Sequence, residues 1–342
     1  MPTLEKKLRD LPKVEFHRHL DGSVRFETIK EIARHHNLDL GVANDQELWK
    51  KTKVLKPMDS LETVLDCFWT TQKVLCSYES IKRVTIENIE DAFLDGVKLL
   101  ELRFAPTFIK QNKSIQFDEI IEATLDGISE GMKKYPIQVG LLHILPRGLS
   151  LQENIDSLDM TIKYRRSTHQ NSDRLVGLDM ADTEEYDMQA YAELAQKAKD
   201  DGMGVTIHTG ESTSSEHIRK TFDVFSPTRI GHGVKIWGDE KLIERAKVEN
   251  IHFELCPTSN FLTNAVSSLN EHPFKNLLEA GLSISLNSDD PHLMNIDLIT
   301  EYQIATDIFG LSLSQLNEIN YKAIDHSFLD QDIKRNIDKT FF

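Results

Sequence analysis

Cysteine is scarce in this sequence. Only three are present among 342 residues, Cys67, Cys76 and Cys256, and no two of them form a CxxC pair. An odd number of widely separated cysteines argues against a disulfide framework and against a cysteine-ligated metal site. We therefore expect a protein of a reducing compartment, and we assign it to the cytoplasm.

Long apolar runs and basic clusters are also missing. No stretch reaches the ~18 apolar residues that a membrane span needs, and residues 1–16 lack the apolar run of a signal peptide. The formal net charge is −15, and lysines and arginines are interspersed with acids. Such a chain repels phosphate backbones and anionic lipid surfaces. We expect neither nucleic acid nor a membrane as a partner.

Short apolar runs alternate with longer helical patterns along the chain, and we interpret the short runs as strands buried on both faces. The eight predicted strands span residues 14–17, 97–104, 138–145, 175–180, 204–208, 229–232, 251–256 and 282–287. Helical periodicity marks residues 80–93, 117–134 and 188–200. Gly96, Gly202 and Gly281 stand where helix C-caps are expected, just before the next strand.

Eight strands that alternate with helices predict an α/β fold, a (β/α)8 TIM-type barrel, with residues 1–342 as a single domain. A doubly wound open sheet is the alternative, but it would show a glycine-rich phosphate loop, which is absent. Residues 58–75 form a further apolar-periodic stretch that either covers the mouth of the barrel or packs on its flank. Residues 299–342 predict two or three further helices at the C-terminus.

Histidines and acids collect at the predicted carboxyl ends of the strands, where barrel enzymes build their active sites. They are His17 and His19 after the first strand, His208 and Glu211 after the fifth, His232 after the sixth, and Asp289 and Asp290 after the eighth. Side chains at i and i+2 of an extended segment share one face, so both imidazoles of the HxH pair can reach one ion. Imidazole and carboxylate suit zinc, which lowers the pKa of a water ligand to about 7.

Each of these residues alone has an ordinary explanation. His208 could be a core histidine, Glu211 an acid in the first turn of a helix, and the Asp289–Asp290 pair a turn or a cap. Their coincidence at one end of the predicted barrel favours a metal-dependent active site.

Seven motifs together resemble the adenosine deaminase family of the amidohydrolase superfamily, over nearly the full length of the chain. They are KVEFHRHLDGS (13–23), LELRFAP (100–106), LVGLDMA (175–181), VTIHTGE (205–211), RIGHG (229–233), FELCPTSN (253–260) and SLNSDDP (285–291), in the family's order and spacing.

The resemblance implies hydrolytic deamination of a 6-aminopurine nucleoside by an enzyme with one Zn²⁺ per chain. The implied metal ligands are His17, His19, His208 and Asp289. Glu211 would protonate purine N1, His232 would hold or deprotonate the nucleophile, and Asp290 would accept a hydrogen bond from the N7 side. The implied substrate contacts also include His19, Asp21, Asp182, Leu61 and Leu65, the last two as apolar residues that close over the nucleoside.

Adenosine or deoxyadenosine is the expected substrate. Family members that take free adenine tend to have Glu where this chain has Asp21, and a carboxylate there also disfavours a 5′-phosphate. One position departs from the family pattern: Asp182 replaces a glycine whose backbone N–H meets purine N3. The stretch after Asp182 is shorter than is common in the family, and a shorter wall could admit a bulkier nucleoside. A 5′-modified or aminofutalosine-like nucleoside is therefore one alternative substrate, and free adenine is another.

Two other functions compete with deamination. Binuclear amidohydrolases that cleave lactones, amides or phosphotriesters usually carry a bridging lysine at the end of the fourth strand, and residues 178–181 contain none. A non-catalytic zinc protein would not need Glu211, His232 and Asp290 beside its metal ligands. The oligomeric state is not indicated by any of these features.

Overall fold

Eight parallel strands form the centre of the computed structural model, which describes residues 3–58, 61–111 and 113–342, without the side chains of residues 61–66. The strands are β1 (Lys13–His19), β2 (Val97–Phe104), β3 (Gln138–Pro146), β4 (Leu175–Ala181), β5 (Gly204–Thr209), β6 (Arg229–His232), β7 (His252–Leu255) and β8 (Ser283–Leu286). They pair in parallel and in chain order. Hydrogen bonds from His19 N to Asp289 O and from Asp289 N to His17 O, both 2.9 Å, bring β1 to the end of β8. The predicted (β/α)8 barrel is confirmed.

Helices precede, connect and follow the strands. They are α1 (Leu4–Asp10), α2 (Phe26–His35), α3 (Asp45–Thr52), α4 (Leu61–Gln72), α5 (Tyr78–Leu94), α6 (Pro106–Lys110), α7 (Phe117–Lys134), α8 (Leu151–Arg165), α9 (Met188–Asp200), α10 (Ser215–Phe225), α11 (Glu240–Val248), α12 (Pro257–Leu262), α13 (Phe274–Glu279), α14 (Pro291–Met294), α15 (Leu298–Asp307), α16 (Leu313–Ala323) and α17 (Gln331–Phe341). None of the described helices is long and apolar enough to cross a membrane.

Local sequence explains where these helices begin and end. The Ser77 side chain accepts the N–H of Ser80 and caps α5. Gly96, Gly202 and Gly281 have φ of 88°, 79° and 86°, the left-handed conformation that closes a helix C-terminus without a Cβ penalty. The three glycine caps predicted from the sequence are therefore confirmed.

The predicted strands all overlap the observed ones, with differences of at most two residues at their ends. The largest concerns β1, which continues through His19 rather than ending at His17. The extension keeps both histidines of the HxH pair in the strand. Residues 58–75 contain α4, whose Phe68 lines the cavity at the mouth of the barrel. Helices α15, α16 and α17 are the additional C-terminal helices.

The interior of the barrel contains a chain of paired charges that begins at its amino-terminal end. Arg229 Nη1 lies 2.6 Å from Glu101 Oε2, and Arg229 Nε lies 2.8 Å from Glu254 Oε1. Arg103 contacts the Glu254 carboxylate and places Nη1 2.9 Å from Asp179 Oδ2. All five side chains are fully buried. Buried charges need such partners, and this series of ion pairs leads directly to the histidines at the mouth.

Residues 324–330, between α16 and α17, close the amino-terminal end of the barrel. Phe328 places its ring 3.6 Å from the Arg229 guanidinium, and its backbone N–H donates to Glu101. A Cβ at Gly204 would lie 2.1 Å from this ring, so the start of β5 requires a glycine. The cavity that His19, Asp21 and Glu211 line lies at the other end of the barrel.

Candidate active site

The four predicted metal ligands converge at the carboxyl ends of the strands. His17 Nε2 lies 3.0 Å from His208 Nε2 and 3.3 Å from Asp289 Oδ1. His19 Nε2 lies 3.3 Å from His17 Nε2 and 3.2 Å from Asp289 Oδ1. The ligand atoms of His17, His208, Asp289 and also His232 fall within 4.8 Å of one another. The structure thus adds His232 to the side chains that could reach a common ion.

The other ring nitrogens of His17 and His208 show that this cluster suits a cation. His17 Nδ1 lies 3.0 Å from Glu254 Oε2, and His208 Nδ1 lies 3.0 Å from Asp179 Oδ1. Burial lowers the pKa of both histidines, so each neutral ring keeps its proton on Nδ1, donates to the carboxylate, and presents a lone pair at Nε2. Two lone pairs that face each other across 3.0 Å repel unless a cation lies between the rings and their neighbours. A metal ion fits this donor set.

Two of the site residues owe their orientation to unusual backbone conformations. His232 and Asp289 have φ of 60° and 62°, the left-handed region that costs a non-glycine residue about 1–2 kcal/mol. Each lies at or just beyond the end of its strand, where the change of direction turns the side chain into the mouth of the barrel. Such strain is typical of functional positions.

Glu211 lies on the turn after β5, beside the histidine cluster. Thr263 Oγ1 donates to Glu211 Oε1 at 2.7 Å, and Glu211 Oε2 lies 3.5 Å from His232 Nε2. Burial, together with the negative charge of Asp289, raises the pKa of Glu211 to about 7. The cluster therefore contains a carboxyl group that can carry a proton near neutral pH, as an acid catalyst must.

Glu184 holds the turn that carries Glu211, a role that the sequence did not reveal. Its carboxylate accepts the backbone N–H groups of Gly210 (2.7 Å), Glu211 (3.0 Å) and Ser212 (2.8 Å). Burial opposes ionisation, but the hydrogen bonds to this turn hold the pKa of Glu184 at about 2. The only indication in the sequence is an acid two residues after Asp182.

Two buried carboxyl groups at the mouth each keep one oxygen without a hydrogen-bond partner among the described residues, Asp21 Oδ1 and Asp290 Oδ1. The other Asp21 oxygen accepts from Gln72 Nε2 at 2.5 Å. Burial raises the pKa of both groups, and the charge of Asp289 adds to the effect at Asp290. Both residues line the cavity beside the histidine cluster, so a ligand there would meet these oxygens.

Apolar side chains make up much of the cavity lining. They include Phe68, Phe108, Ile144, Leu293 and Met294, and no lysine or arginine lines the cavity within the described part of the chain. The cavity therefore combines apolar surface with a few polar and acidic groups, as small-molecule sites do.

Asp182 lies at the cavity rim, but its side chain has a protein partner. Asp182 Oδ2 accepts the N–H of Gly148 at 3.0 Å, and the Asp182 carbonyl accepts from Arg147 at 2.8 Å. Its φ of 75° is one that a glycine adopts freely. The carboxylate therefore ties the end of β4 to the turn after β3. Leu61 and Leu65 lie on α4, but their side chains are outside the described residues.

Several further residues support the site and were not singled out from the sequence as functional. They are Arg103, Asp179, Glu184, Glu254, Asn260, Thr263 and His272. Arg103, Asp179 and Glu254 are charged residues within otherwise apolar strands, and that interruption of the pattern was the signal available for them.

Comparison with known proteins identifies the same family as the sequence motifs. The family model described as adenosine deaminase matches residues 12–341. A relative named adenosine deaminase, from Shewanella denitrificans, is 32% identical over 328 residues, which cover 95% of this chain and 97% of the relative.

Solved structures match over nearly the whole chain as well. The N6-methyl-AMP deaminase of Arabidopsis thaliana has a TM-score of 0.84 and 27% identity, with 98% of each chain covered. The adenine deaminase of Arthrobacter aurescens has a TM-score of 0.87 and 21% identity, with 97% of each chain covered. An amidohydrolase of Burkholderia ambifaria with bound Zn has a TM-score of 0.86 and 21% identity, covering 100% of this chain and 93% of its own. The last two comparisons show the fold alone.

Proposed function

Because the chain belongs to the adenosine deaminase family, we propose that it hydrolyses the 6-amino group of a purine nucleoside, with adenosine or deoxyadenosine as substrate and ammonia as a product. The observation that carries this proposal is Glu211, a carboxyl group with a raised pKa beside a buried histidine–aspartate cluster. Displacement of an aromatic amine needs a proton donor to the ring nitrogen and an activated water at the carbon that bears the amine. Glu211 and the cluster provide places for both.

We assign one zinc ion per chain to the cluster, with His17, His19, His208 and Asp289 as ligands. The facing Nε2 lone pairs of His17 and His208 support this assignment, and a structural neighbour contains Zn. Zinc would supply hydroxide at neutral pH by lowering the pKa of water to about 7. Glu254 and Asp179 would keep the Nε2 atoms of His17 and His208 directed at the ion.

The remaining side chains act on the purine and on the attacking oxygen. Glu211 donates its proton to N1, which weakens the aromaticity of the ring as C6 is attacked. Thr263 holds one oxygen of Glu211, so that the other remains directed towards the centre of the site. His232 positions the attacking oxygen, and Asp290 hydrogen-bonds the N7 edge.

The sugar side of the cavity favours a neutral nucleoside. Asp21 Oδ1 is buried without a partner among the described residues, so a ribose hydroxyl would satisfy it, and free adenine has no such hydroxyl. A 5′-phosphate would meet this carboxyl group in a cavity whose described lining contains no lysine or arginine. We therefore expect kcat/KM for adenosine to exceed that for AMP or N6-methyl-AMP by at least ~100-fold, a loss equivalent to about 3 kcal/mol.

The substrate is tested with a panel of adenosine, deoxyadenosine, adenine, AMP, N6-methyl-AMP and 5′-modified adenosines. Deamination is followed by the ultraviolet change of the purine, with the metal content of the same preparation measured in parallel. Preference for adenosine and deoxyadenosine supports the proposal. Preference for adenine, a nucleotide or a 5′-modified nucleoside would replace the substrate, and absence of deamination across the panel by metal-loaded protein would reject the reaction.

Glu211→Gln tests the proton donor. The amide keeps the shape of the side chain but cannot protonate N1, so we expect kcat to fall by ~10²–10⁴ while the zinc content stays at one per chain. Glu216→Gln, the same substitution at an exposed position five residues later, is the matched control and should leave kcat unchanged. Glu211→Gln that retained most of its turnover would refute the assigned role.

A further inference from the structure

We propose that Asn260 and His272 are positioning residues that fix the tautomer of His232, with the proton on Nε2. The proposal rests on the proposed function, because His232 acts there on the attacking oxygen. Its structural basis is a row of four hydrogen-bonding groups that starts at a backbone amide, whose direction of donation is fixed, and ends at the His232 ring.

The row starts at the first residue of α13. Phe274 N lies 3.1 Å from His272 Nδ1. The amides of the first helical turn have no carbonyl partner within the helix, and an amide can only donate, so His272 Nδ1 must accept. Burial lowers the pKa of His272 to about 3, and the neutral ring therefore carries its proton on Nε2. That proton points to Asn260 Oδ1, 3.1 Å away.

The second half of the row passes through Asn260, which lies on α12 and is fully buried. Because its carbonyl oxygen accepts from His272, its amino group faces His232 Nδ1 at 3.0 Å. An amide NH₂ donates and does not accept, so His232 Nδ1 must present a lone pair. An imidazole carries a proton on at least one ring nitrogen, and because Nδ1 accepts, that proton is on Nε2.

This tautomer is opposite to that of the two neighbouring histidines. His17 and His208 face carboxylates with Nδ1 and therefore direct lone pairs into the cluster, whereas His232 faces an amide and directs an N–H into it. Its Nε2 lies 3.5 Å from Glu211 Oε2 and 3.9 Å from Asp289 Oδ2. His232 is thus a hydrogen-bond donor to the site, and it is not a metal ligand although its ring lies within ligand distance of the others.

The choice between an amide and a carboxylate behind each ring decides its role. In the reaction, His232 enters as an N–H that holds the attacking oxygen and stabilises the negative charge that develops there. A lone pair at the same place would repel that charge. Asn260 therefore acts through His232, and His272 acts through Asn260 by preventing rotation of its amide.

Asn260→Asp tests the direction of the row. The carboxylate has the shape of the amide but only accepts, so it should draw the proton of His232 to Nδ1 and leave a lone pair at Nε2. We expect kcat to fall at least ~100-fold with KM changed by less than about threefold, because a wrong tautomer in a catalytic histidine costs up to ~10⁴. Asn276→Asp, the same substitution at an exposed position of α13, is the matched control and should retain full kcat.

A second pair of variants covers the case in which Asn260→Asp does not fold. His272→Phe removes the donor to Asn260 Oδ1, so the amide can rotate and kcat should fall ~10-fold. His272→Gln restores a side-chain donor and should recover most of that loss. Equal kcat in the two variants would overturn the role of His272.

The tautomer itself is read from nitrogen NMR of zinc-loaded protein with ¹⁵N-labelled histidine, with His232 assigned by the signal lost in His232→Gln. We expect a protonated Nε2 in the wild type and a protonated Nδ1 in Asn260→Asp. A protonated Nδ1 in the wild type would overturn the proposal, as would Asn260→Asp with the kcat of its control. Because NMR does not depend on turnover, wild-type protein with the expected tautomer but no deaminase activity would reject the proposed function alone.

Discussion

Arg103 joins the barrel interior to the histidine–aspartate cluster, and its removal should damage both. Its guanidinium contacts Glu254 and Asp179 and also donates to the carbonyl of Phe16 from Nε and Nη2, at 3.1 and 3.0 Å. Glu254 and Asp179 are the two carboxylates that hold His17 and His208, two of the proposed metal ligands. Arg103→Met keeps much of the side-chain volume and removes the charge.

Removal of the Arg103 guanidinium would leave the two carboxylates with different numbers of partners. Glu254 would keep Arg229 at 2.8 Å and Thr206 at 3.1 Å, whereas Asp179 would keep only His208 among the hydrogen-bond partners that the structure describes. Removing one partner of a buried ion pair costs about 3–5 kcal/mol. For 342 residues, an unfolding entropy of about 2.1 cal/mol/K per residue converts this cost into a Tm about 4–7 °C lower.

Metal binding should weaken as well, because an Asp179 without Arg103 protonates more readily and then no longer accepts the His208 Nδ1 proton. Loss of such a partner lowers metal affinity about 10–100-fold. Calorimetry would measure Tm, and zinc titration against a competing chelator would measure affinity.

Arg103→Lys and Arg335→Met are the comparisons for Arg103→Met. Lysine keeps the charge but cannot bridge both carboxylates, so its effects should be intermediate. Arg335 is 62% exposed and pairs with an exposed acid, Asp332, so its substitution should change Tm by less than about 1 °C. Equal Tm and zinc affinity in Arg103→Met and the wild type would refute the reasoning.

Three further predictions concern the mouth of the barrel. Burial and the charge of Asp289 raise the pKa of Glu211 to about 7, and in the proposed mechanism the protonated form is the reactive one. We therefore expect kcat/KM to fall as the pH rises through about 7, and this decrease should be absent from the residual activity of Glu211→Gln. Glu184→Gln places an NH₂ group against the turn amides that its carboxylate now accepts, and we expect kcat to fall ~10–100-fold with little change in KM, whereas Glu185→Gln, at the exposed neighbour, should have no effect. Asp182→Gly relieves about 1–2 kcal/mol of backbone strain and loses one hydrogen bond of similar value. We therefore expect Tm to change little, whereas the kcat/KM ratios among adenosine analogues should change several-fold. Unaltered ratios would remove Asp182 from substrate selection.

The barrel could be predicted because its strands and helices follow local rules. Strands buried on both faces are short apolar runs, and Gly96, Gly202 and Gly281 mark the ends of three of the helices that precede strands. The histidines and acids at the strand ends could then be placed together from topology alone, because the carboxyl ends of all eight strands meet at one face. None of this requires knowledge of a particular side-chain contact.

The supporting residues could not be predicted in the same way, because their roles depend on contacts between distant parts of the chain. Glu184 is 26 residues from Gly210, whose N–H it accepts, and no local pattern relates the two. Asp182 shows the same limit: its departure from the family pattern was visible, but the partner of its carboxylate, the N–H of Gly148, was not. A sequence pattern indicates which chemical groups are present, but it does not predict which of them donates and which accepts in each hydrogen bond.

The histidines of the site show how much depends on that direction. His17, His208 and His232 are the same residue type, all buried and near the carboxyl ends of strands, so residue type and position alone offer no basis for different chemistry; the family resemblance was what separated His232 from the implied ligands. The groups behind them differ: Glu254 and Asp179 accept the Nδ1 protons of His17 and His208, whereas Asn260, as we propose, donates to Nδ1 of His232. Because burial lowers the pKa of these three rings and keeps them neutral, the residue at Nδ1 determines what Nε2 can do. In the proposed reaction, residues that do not touch the reacting atoms would therefore divide these histidines between metal binding and catalysis.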